Sequence, residues 1–255
     1  AFSFLDFKQH PFLKLLSAAD REYLTKSLTN FKWGEKETAV FNLPSSLSRQ
    51  VVILGLGEKN KWHRRKMFLA ARRVVAILKN YRLSSAAVNL DDFAVKGASP
   101  DEILSLLAQN MLMADFAFLM YKEKPKDGWP EVKEIQIVCR TNKKLAQALK
   151  EGTVIGEEVN ECRRLANTPG GIMTPTKLAQ EAMAVGKRVP AVKVKVFDEK
   201  KIKELGMGGV IGVSQGSVEK PKFIVMEYSS TTLATSGSAK NHPLVFVGKG
   251  VTFDT

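Results

Sequence analysis

The segment Arg49-Gln-Val-Val-Ile-Leu-Gly-Leu-Gly57 is an apolar run, rich in β-branched residues, that ends in glycines. This pattern is typical of a buried strand. Residues 62–80 follow it and repeat apolar side chains at helical spacing, and residues 85–90 form the next strand candidate. The inner face of the helix is expected to consist of Phe68, Ala71, Val75 and Leu78. A strand, a helix and a second strand in this order predict an α/β domain with a mostly parallel sheet.

The same alternation extends over the first half of the chain. Apolar spacing predicts helices over residues 13–28, 100–121 and 143–167, and strands over residues 38–43 and 134–139. Ser17 is a plausible N-cap of the first of these helices. We therefore expect an N-terminal α/β domain over residues 1–145, an inter-domain helix over 146–167, and the start of a second domain over 168–255.

The second region continues with helices and strands. Residues 167–175 form a loop dense in turn formers, and Thr174 or Thr176 is expected to cap the helix that follows. Further on, the pattern predicts strands at 191–197, 223–228 and 244–247, and a short helix at 200–205. The glycine-rich stretch 208–216 lacks the Lys-Ser/Thr ending of a phosphate loop, so we expect a structural loop that packs closely on the sheet.

Composition limits the class of protein. The chain has 255 residues, of which 44% are hydrophobic, as expected of a globular protein with a core. No apolar run approaches the roughly 20 residues that cross a bilayer, so no membrane partner is expected. Two cysteines, Cys139 and Cys162, make no disulfide framework, which favours a reducing, cytoplasmic location. Cys162 is expected to be a small buried residue.

The net charge of +13 raises the question of nucleic-acid binding. Part of this charge is clustered in Lys59-Asn-Lys-Trp-His-Arg-Arg-Lys66 and in the pair Arg72-Arg73. The alternative is a solvated basic helix face without a partner. Composition leaves both interpretations open.

The segment Gly248-Lys-Gly-Val-Thr-Phe-Asp254 holds the strongest candidate for chemistry. Lys249 lies between two glycines directly after the expected strand 244–247, and Asp254 follows five residues later. Ligands of α/β sheets bind at the carboxyl ends of strands, which is where this lysine and carboxylate are expected. The three histidines lie far apart, which excludes a helical His-Glu-x-x-His zinc site.

This segment resembles the signature of the leucyl (cytosol) aminopeptidase family, and further motifs in the same order extend the resemblance. The helix and loop Arg164-Leu-Ala-Asn-Thr-Pro-Gly-Gly-Ile-Met-Thr-Pro-Thr-Lys-Leu-Ala179 are similar to the helix between the two domains of that family. Leu205-Gly-Met-Gly-Gly209 and Gly212-Val-Ser-Gln-Gly-Ser217 are similar to the segment before its catalytic strands, and Pro221-Lys-Phe-Ile-Val-Met-Glu-Tyr228 is similar to its strand. The N-terminal half resembles the family mainly in pattern.

The resemblance implies a macro-domain-like N-terminal α/β domain, followed by an α/β peptidase domain with a mixed, mostly parallel sheet and a centre of two divalent ions, zinc or manganese. It further implies release of N-terminal residues, with a leucine-type preference, from peptide substrates by a homohexamer. Lys249 and Asp254 match two metal ligands of the family. Lysine binds a metal only as the neutral amine, a form that nearby dications and desolvation both favour.

The chain departs from the family pattern after Asp254. The other carboxylate ligands, a second lysine and an arginine of the family lie downstream of this motif, and nothing here matches them. One carboxylate and one amine cannot balance two dications. We therefore expect a C-terminally incomplete chain that is inactive by itself. The alternative hypothesis is a basic DNA-binding or regulatory scaffold derived from the same family.

Overall fold

The computed structural model describes residues 3–43, 50–229 and 244–252. The chain divides into two compact units, Ala1–Glu161 and Cys162–Thr255. The division falls within a 25-residue helix, Lys143–Asn167, which has the bounds that its sequence pattern predicts. None of the helices in the described ranges is both long and apolar enough to cross a membrane.

Within the described residues, the first unit contains four strands and most of the helices. Its helices are α1 (Phe4–Lys8), α2 (Ala18–Ser27), α3 (Arg64–Asn80), α4 (Pro100–Asp115) and the larger part of α5 (Lys143–Asn167), with short 3-10 turns at Pro11–Leu15, Lys59–Lys61 and Leu90–Phe93. Its strands are β1 (Thr38–Asn42), β2 (Gln50–Leu54), β3 (Ser85–Asn89) and β4 (Glu134–Val138).

The second unit has fewer elements. After the end of α5 come α6 (Pro175–Arg188), β5 (Val192–Phe197), α7 (Glu199–Glu204), α8 (Gly208–Ser214) and β6 (Phe223–Tyr228). Helix α8 replaces the close-packed loop expected over 208–216. A Cβ atom at Gly208, Gly209 or Gly212 would meet no atom within 4 Å, so this expectation was wrong. Cys162 is exposed on α5, which also corrects the expectation that it is buried.

Strand pairing confirms the α/β class but differs from the expected parallel majority. In the described strands, β1 pairs with β2 antiparallel, β3 with β4 parallel, and β5 with β6 antiparallel. Parallel strands need a long crossover connection, whereas the seven residues between β1 and β2 allow only a hairpin-type return. One of these three described pairs is parallel and two are antiparallel, so the expected majority of parallel pairs is not observed among them.

Helix termini follow the local sequence signals. The Ser17 hydroxyl accepts a hydrogen bond from the Asp20 backbone N–H, which confirms Ser17 as the N-cap of α2. Helix α4 ends at Asp115, six residues before the expected end. Lys79 of α3 donates a hydrogen bond to the Asp115 backbone carbonyl and forms an ion pair of 2.9 Å with its carboxylate. A lysine at the last carbonyl groups stabilises a helix end at this position.

Two apolar clusters form the core of the first unit. One lies around α3 and α4 and consists of Leu56, Met67, Ala70, Ala71, Val75, Leu90, Phe93, Val95, Ile103, Leu104, Leu107, Met111 and Leu145. The other consists of Phe7, Leu13, Leu16, Leu24, Leu28, Trp33, Leu43, Val51 and Ile53. Ala71, Val75 and Leu78 are buried as predicted from the spacing of α3, and Phe68 is half-buried.

Arg73 on α3 holds the chain around the start of β1. Its guanidinium donates hydrogen bonds to the backbone carbonyls of Glu35, Glu37 (2.8 Å) and Gly55 (3.2 Å), and to the Thr38 hydroxyl (2.7 Å). Burial lowers the pKa of this guanidinium from its ordinary value. The four acceptors offset that burial, since buried polar groups need hydrogen-bond partners.

Two glycines of α5 mark its contact with α4. A Cβ atom at Gly152 would lie 2.3 Å from the Ser105 carbonyl oxygen, and one at Gly156 would lie 3.0 Å from Leu112 Cβ. The Asn160 side chain donates a hydrogen bond of 2.9 Å to the Leu112 carbonyl oxygen. Glycines that look like interruptions of a helix are therefore the positions at which the two helix backbones approach each other most closely.

We expect Gly152→Ala to destabilise the intact protein by about 1–3 kcal/mol, because the added methyl group meets backbone and cannot turn away. The matched control is Gly212→Ala in α8, where open space surrounds the new methyl group. Alanine is the better helix former, so the control is expected to gain up to about 1 kcal/mol. Urea unfolding followed by circular dichroism measures the free energy of unfolding of both variants. Equal changes in Gly152→Ala and Gly212→Ala would contradict the close approach of α4 and α5.

Candidate functional site

Lys249 lies in the irregular segment 244–252 of the second unit, and its side chain is exposed. The strand expected at 244–247 is not formed, because residues 244–250 have no regular structure and Leu244, Phe246 and Val247 are 81%, 86% and 93% exposed. An apolar run becomes a strand only when a neighbouring strand pairs with it and other elements cover its side chains. No described strand provides this pairing.

The glycines beside Lys249 differ in their surroundings. A Cβ atom at Gly250 would lie 3.3 Å from Leu178 Cδ2 of α6, whereas one at Gly248 would meet nothing within 4 Å. The described glycines with a positive φ angle are Gly57, Gly97, Gly128 and Gly206. Gly250 therefore allows a close approach of the segment to α6, and neither glycine is needed here for a left-handed turn.

Helix α6 supports this segment and is itself fixed at both ends. The Thr174 hydroxyl accepts a hydrogen bond of 3.2 Å from the Lys177 backbone N–H, so Thr174, one of the two expected residues, is the N-cap. Near the other end, a Cβ atom at Gly186 would lie 2.8 Å from Val194 Cγ2, which shows how closely α6 packs on β5. The Thr174 cap and the close packing at Gly186 thus fix helix α6, whose Leu178 lies next to Gly250.

An ion-pair network joins the end of α5 to α6. The Glu181 carboxylate forms ion pairs with the Lys177 ammonium at 2.9 Å and with the Arg164 guanidinium at 3.1 Å. The hydrogen bond from Lys177 and the neighbouring Arg164 lower the pKa of the Glu181 carboxyl group below its ordinary value. Arg164 belongs to the family-like motif 164–179. Nothing in the sequence apart from helical spacing indicates that Glu181 is its partner.

The described residues do not by themselves fit a two-metal centre. No group of three or more His, Cys, Asp or Glu side chains in the described part of the chain could hold a metal ion. Asp254, the second predicted ligand, lies outside the described residues. Lys249 is therefore the one predicted ligand that the structure places, and a single amine cannot hold two dications.

The basic cluster of the first unit is largely engaged in contacts within the protein. Arg64 pairs with Glu102 at 2.5 Å, Lys66 pairs with Glu35, and Lys61 pairs with Glu58 at 2.7 Å. Arg72 donates a hydrogen bond to the buried Asn110 side chain, and Arg73 binds the backbone carbonyls described above. These contacts occupy several hydrogen-bond donors of the cluster, and a nucleic-acid interface at this cluster stays a hypothesis.

Solved structures with the same fold are leucine aminopeptidases and related enzymes. A mutant of tomato leucine aminopeptidase matches 87% of this chain and 44% of its own length, with a TM-score of 0.74 and 20% identity. A bottromycin maturation enzyme in complex with manganese matches 85% of this chain and 43% of its own length, with a TM-score of 0.67 and 18% identity. At 18% and 20% identity, the similarity to these structures shows the class of fold alone.

Sequence comparison identifies the family. The N-terminal domain model of the cytosol aminopeptidase family matches residues 25–125, and its catalytic domain model matches residues 160–255. The probable cytosol aminopeptidase of Bdellovibrio bacteriovorus is 33% identical over 224 residues, which are 86% of this chain and 43% of that protein. The cytosol aminopeptidase of Pseudomonas aeruginosa is 32% identical over 217 residues, 84% of this chain and 42% of that protein. The chain belongs to the cytosol aminopeptidase family.

The match covers less than half of each relative. The chain spans about 42–43% of the length of these two curated relatives. The resemblance found in the sequence is thereby confirmed for both family domains. The roles of Lys249 and Asp254 as metal ligands stay predictions.

We expect Glu181→Gln to lower the stability of the intact protein at pH 7 by about 0.5–1 kcal/mol, since two partly exposed ion pairs are lost. Because the folded pKa is lowered, the stabilisation by Glu181 is complete above its ordinary pKa and disappears as pH falls through the folded value. The difference between the two proteins should therefore shrink between pH 5 and pH 3.5.

Urea unfolding at pH 7, 5 and 3.5 measures this dependence. Glu219→Gln is the matched control, because Glu219 is exposed and no ion pair is described for it. The control is expected to leave stability unchanged at every pH. A Glu181→Gln effect that stays constant over this range would contradict an ionic role for the carboxylate.

Proposed function

We propose that the intact protein is a metal-dependent aminopeptidase that releases N-terminal residues, with a leucine-type preference, from peptides. The observation that carries this proposal is the match of residues 160–255 to the catalytic domain of the family. This range includes the Gly248-Lys-Gly250 motif and Asp254. The similarity to two curated cytosol aminopeptidases over 84–86% of the chain supports the same activity.

Lys249 and Asp254 are proposed to bind a pair of divalent ions, zinc or manganese. The manganese complex of the bottromycin maturation enzyme, which has the same fold, supports a metal-dependent activity. Divalent ions in such enzymes polarise a carbonyl group and activate water. The further oxygen ligands that two dications require would come from polypeptide that these 255 residues do not contain. The 255-residue chain alone is therefore expected to be inactive.

Position and accessibility of the lysine agree with this role. Lys249 has an exposed side chain, and the contact between Gly250 and Leu178 fixes the backbone directly after it. Its amine can therefore reach a metal ion that another part of the polypeptide also binds. It displaces no partner in the described structure. A hexameric assembly and a cytoplasmic location are part of the proposal through the family resemblance.

We expect Lys249→Met in the intact protein to lower kcat/KM for leucyl p-nitroanilide by at least about 100-fold, because one metal ligand is lost. The bound metal, measured by inductively coupled plasma mass spectrometry, should fall from two ions per subunit to one or fewer. Lys187→Met is the matched control, because Lys187 is an exposed lysine of α6 with no described ion pair. This control should keep both metal content and activity.

Three outcomes would count against the proposal in different ways. Full metal content together with full activity in Lys249→Met would show that the amine is not a ligand. An intact wild-type protein that binds metal but hydrolyses neither leucyl nor other aminoacyl p-nitroanilides would contradict the aminopeptidase activity. Activity that survives treatment with a chelator would contradict its dependence on metal.

A further inference from the structure

The segment that carries the candidate lysine approaches helix α6 at one defined point. Residues 244–247 are 71–93% exposed, whereas Val251 is 50% exposed. A Cβ atom at Gly250 would lie 3.3 Å from Leu178 Cδ2, and no other described atom outside the two adjacent residues lies within 4 Å of that position. The contact with Leu178 therefore falls one residue after Lys249, where the segment becomes less exposed.

Leu178 lies near the start of α6, at a position that the helix end fixes. Thr174 is the N-cap, so Leu178 is the N4 residue and the buried Met173 is the N′ residue. Apolar residues at N′ and N4 commonly pack together and fix the angle at which the chain enters a helix. The Leu178 backbone N–H also donates a hydrogen bond of 2.9 Å to the Thr174 carbonyl. Leu178 thus belongs to a well-defined helix start.

The ion pairs of Glu181 lie on the next turn of α6. Glu181 follows Leu178 by three residues, and residues three apart are neighbours on a helix surface. Its ion pair with Arg164 joins α6 to the end of α5, and its ion pair with Lys177 stays within α6. Adjacent positions of α6 therefore carry the contact with Gly250 and the link to α5.

We infer that Leu178 is a positioning residue for Lys249 and acts through Gly250. Its side chain limits how closely residues 248–252 approach α6, and this limit sets where the Lys249 backbone lies. The ion pairs of Glu181 hold α6 in the orientation that the contact requires. The inference rests on the proposed function, in which the Lys249 amine takes part in catalysis. Displacement of a catalytic group by about 1 Å can lower a rate by roughly 100-fold.

Steady-state kinetics of Leu178→Ala in the intact protein test this role. We expect kcat for leucyl p-nitroanilide to fall by about 10-fold or more and KM to change by less than about 2-fold, because a misplaced amine affects the reaction more than substrate binding. Leu178→Met has a side chain of similar volume and should keep kcat within about 3-fold of the wild-type value.

Val185→Ala is the matched control for this experiment. Val185 is half-buried and lies two turns after Leu178 on the same face of α6. Its truncation removes apolar contact from the same helix without touching the segment at Gly250. The control should therefore keep kcat within about 2-fold of the wild-type value.

Hydrogen exchange followed by mass spectrometry gives a readout that requires neither activity nor metal. In the metal-free intact protein, the peptide that contains residues 248–252 should exchange at least about 3-fold faster in Leu178→Ala than in the wild type, because the segment has lost its contact with α6. Val185→Ala should leave the exchange of this peptide unchanged.

A second substitution tests the contact itself. Gly250→Ala places a methyl group 3.3 Å from Leu178 Cδ2, which is a tight approach, and should lower kcat by shifting the segment. Leu178→Ala removes the atom that this methyl group meets. The loss of kcat in the double variant should therefore be smaller than the product of the two single losses.

Three results would overturn the inference. They are unchanged exchange of residues 248–252 in Leu178→Ala, equal losses of kcat in Leu178→Ala and Val185→Ala, and losses that simply multiply in the double variant. An intact wild-type protein without hydrolytic activity would refute the proposed function and the positioning role with it. Faster exchange in Leu178→Ala of such an inactive protein would leave only the structural contact, so the two failures are distinguishable.

Discussion

A strand needs a neighbouring strand for its backbone and cover for its apolar side chains, and this requirement explains which of the expected strands form. Where partners are present, as for β1 with β2 and for β5 with β6, the predicted strands form with nearly their expected bounds. Where the described residues provide none, the apolar run 244–247 stays irregular and exposed.

Helices depend far less on distant parts of the chain, because a helix satisfies its hydrogen bonds internally. Helix α5 has its predicted bounds, and the caps Ser17 and Thr174 act as their residue types indicate. Helices α4 and α8 differ from their predictions. Lys79 binds the end of α4, which stops earlier than its apolar pattern suggests, and α8 forms from glycines that were expected to make a loop.

The candidate site shows how residue type and geometry contribute separately. Lys249 and Asp254 are recognisable from their spacing and from the flanking motifs, and family membership agrees with them. The contacts of helix α6 next to this segment could not be recognised in the sequence. Leu178 lies against Gly250, and Glu181 forms ion pairs with Lys177 and Arg164. Composition likewise hides where charges lie: the net charge of +13 already counts the carboxylates of Glu102 and Glu35, but only the structure shows that they pair with Arg64 and Lys66.

The sequence by itself determined the α/β class, most helices and strands, the family and the two residues proposed to bind metal. These features rest on local periodicity, capping and short motifs, which neighbouring residues encode. Only the tertiary structure decided which strands pair, that Gly152 lies against the Ser105 backbone, and that Leu178 lies beside Gly250. Such contacts join residues far apart in the chain, and no local pattern specifies them, because each depends on how the helices pack around the strands.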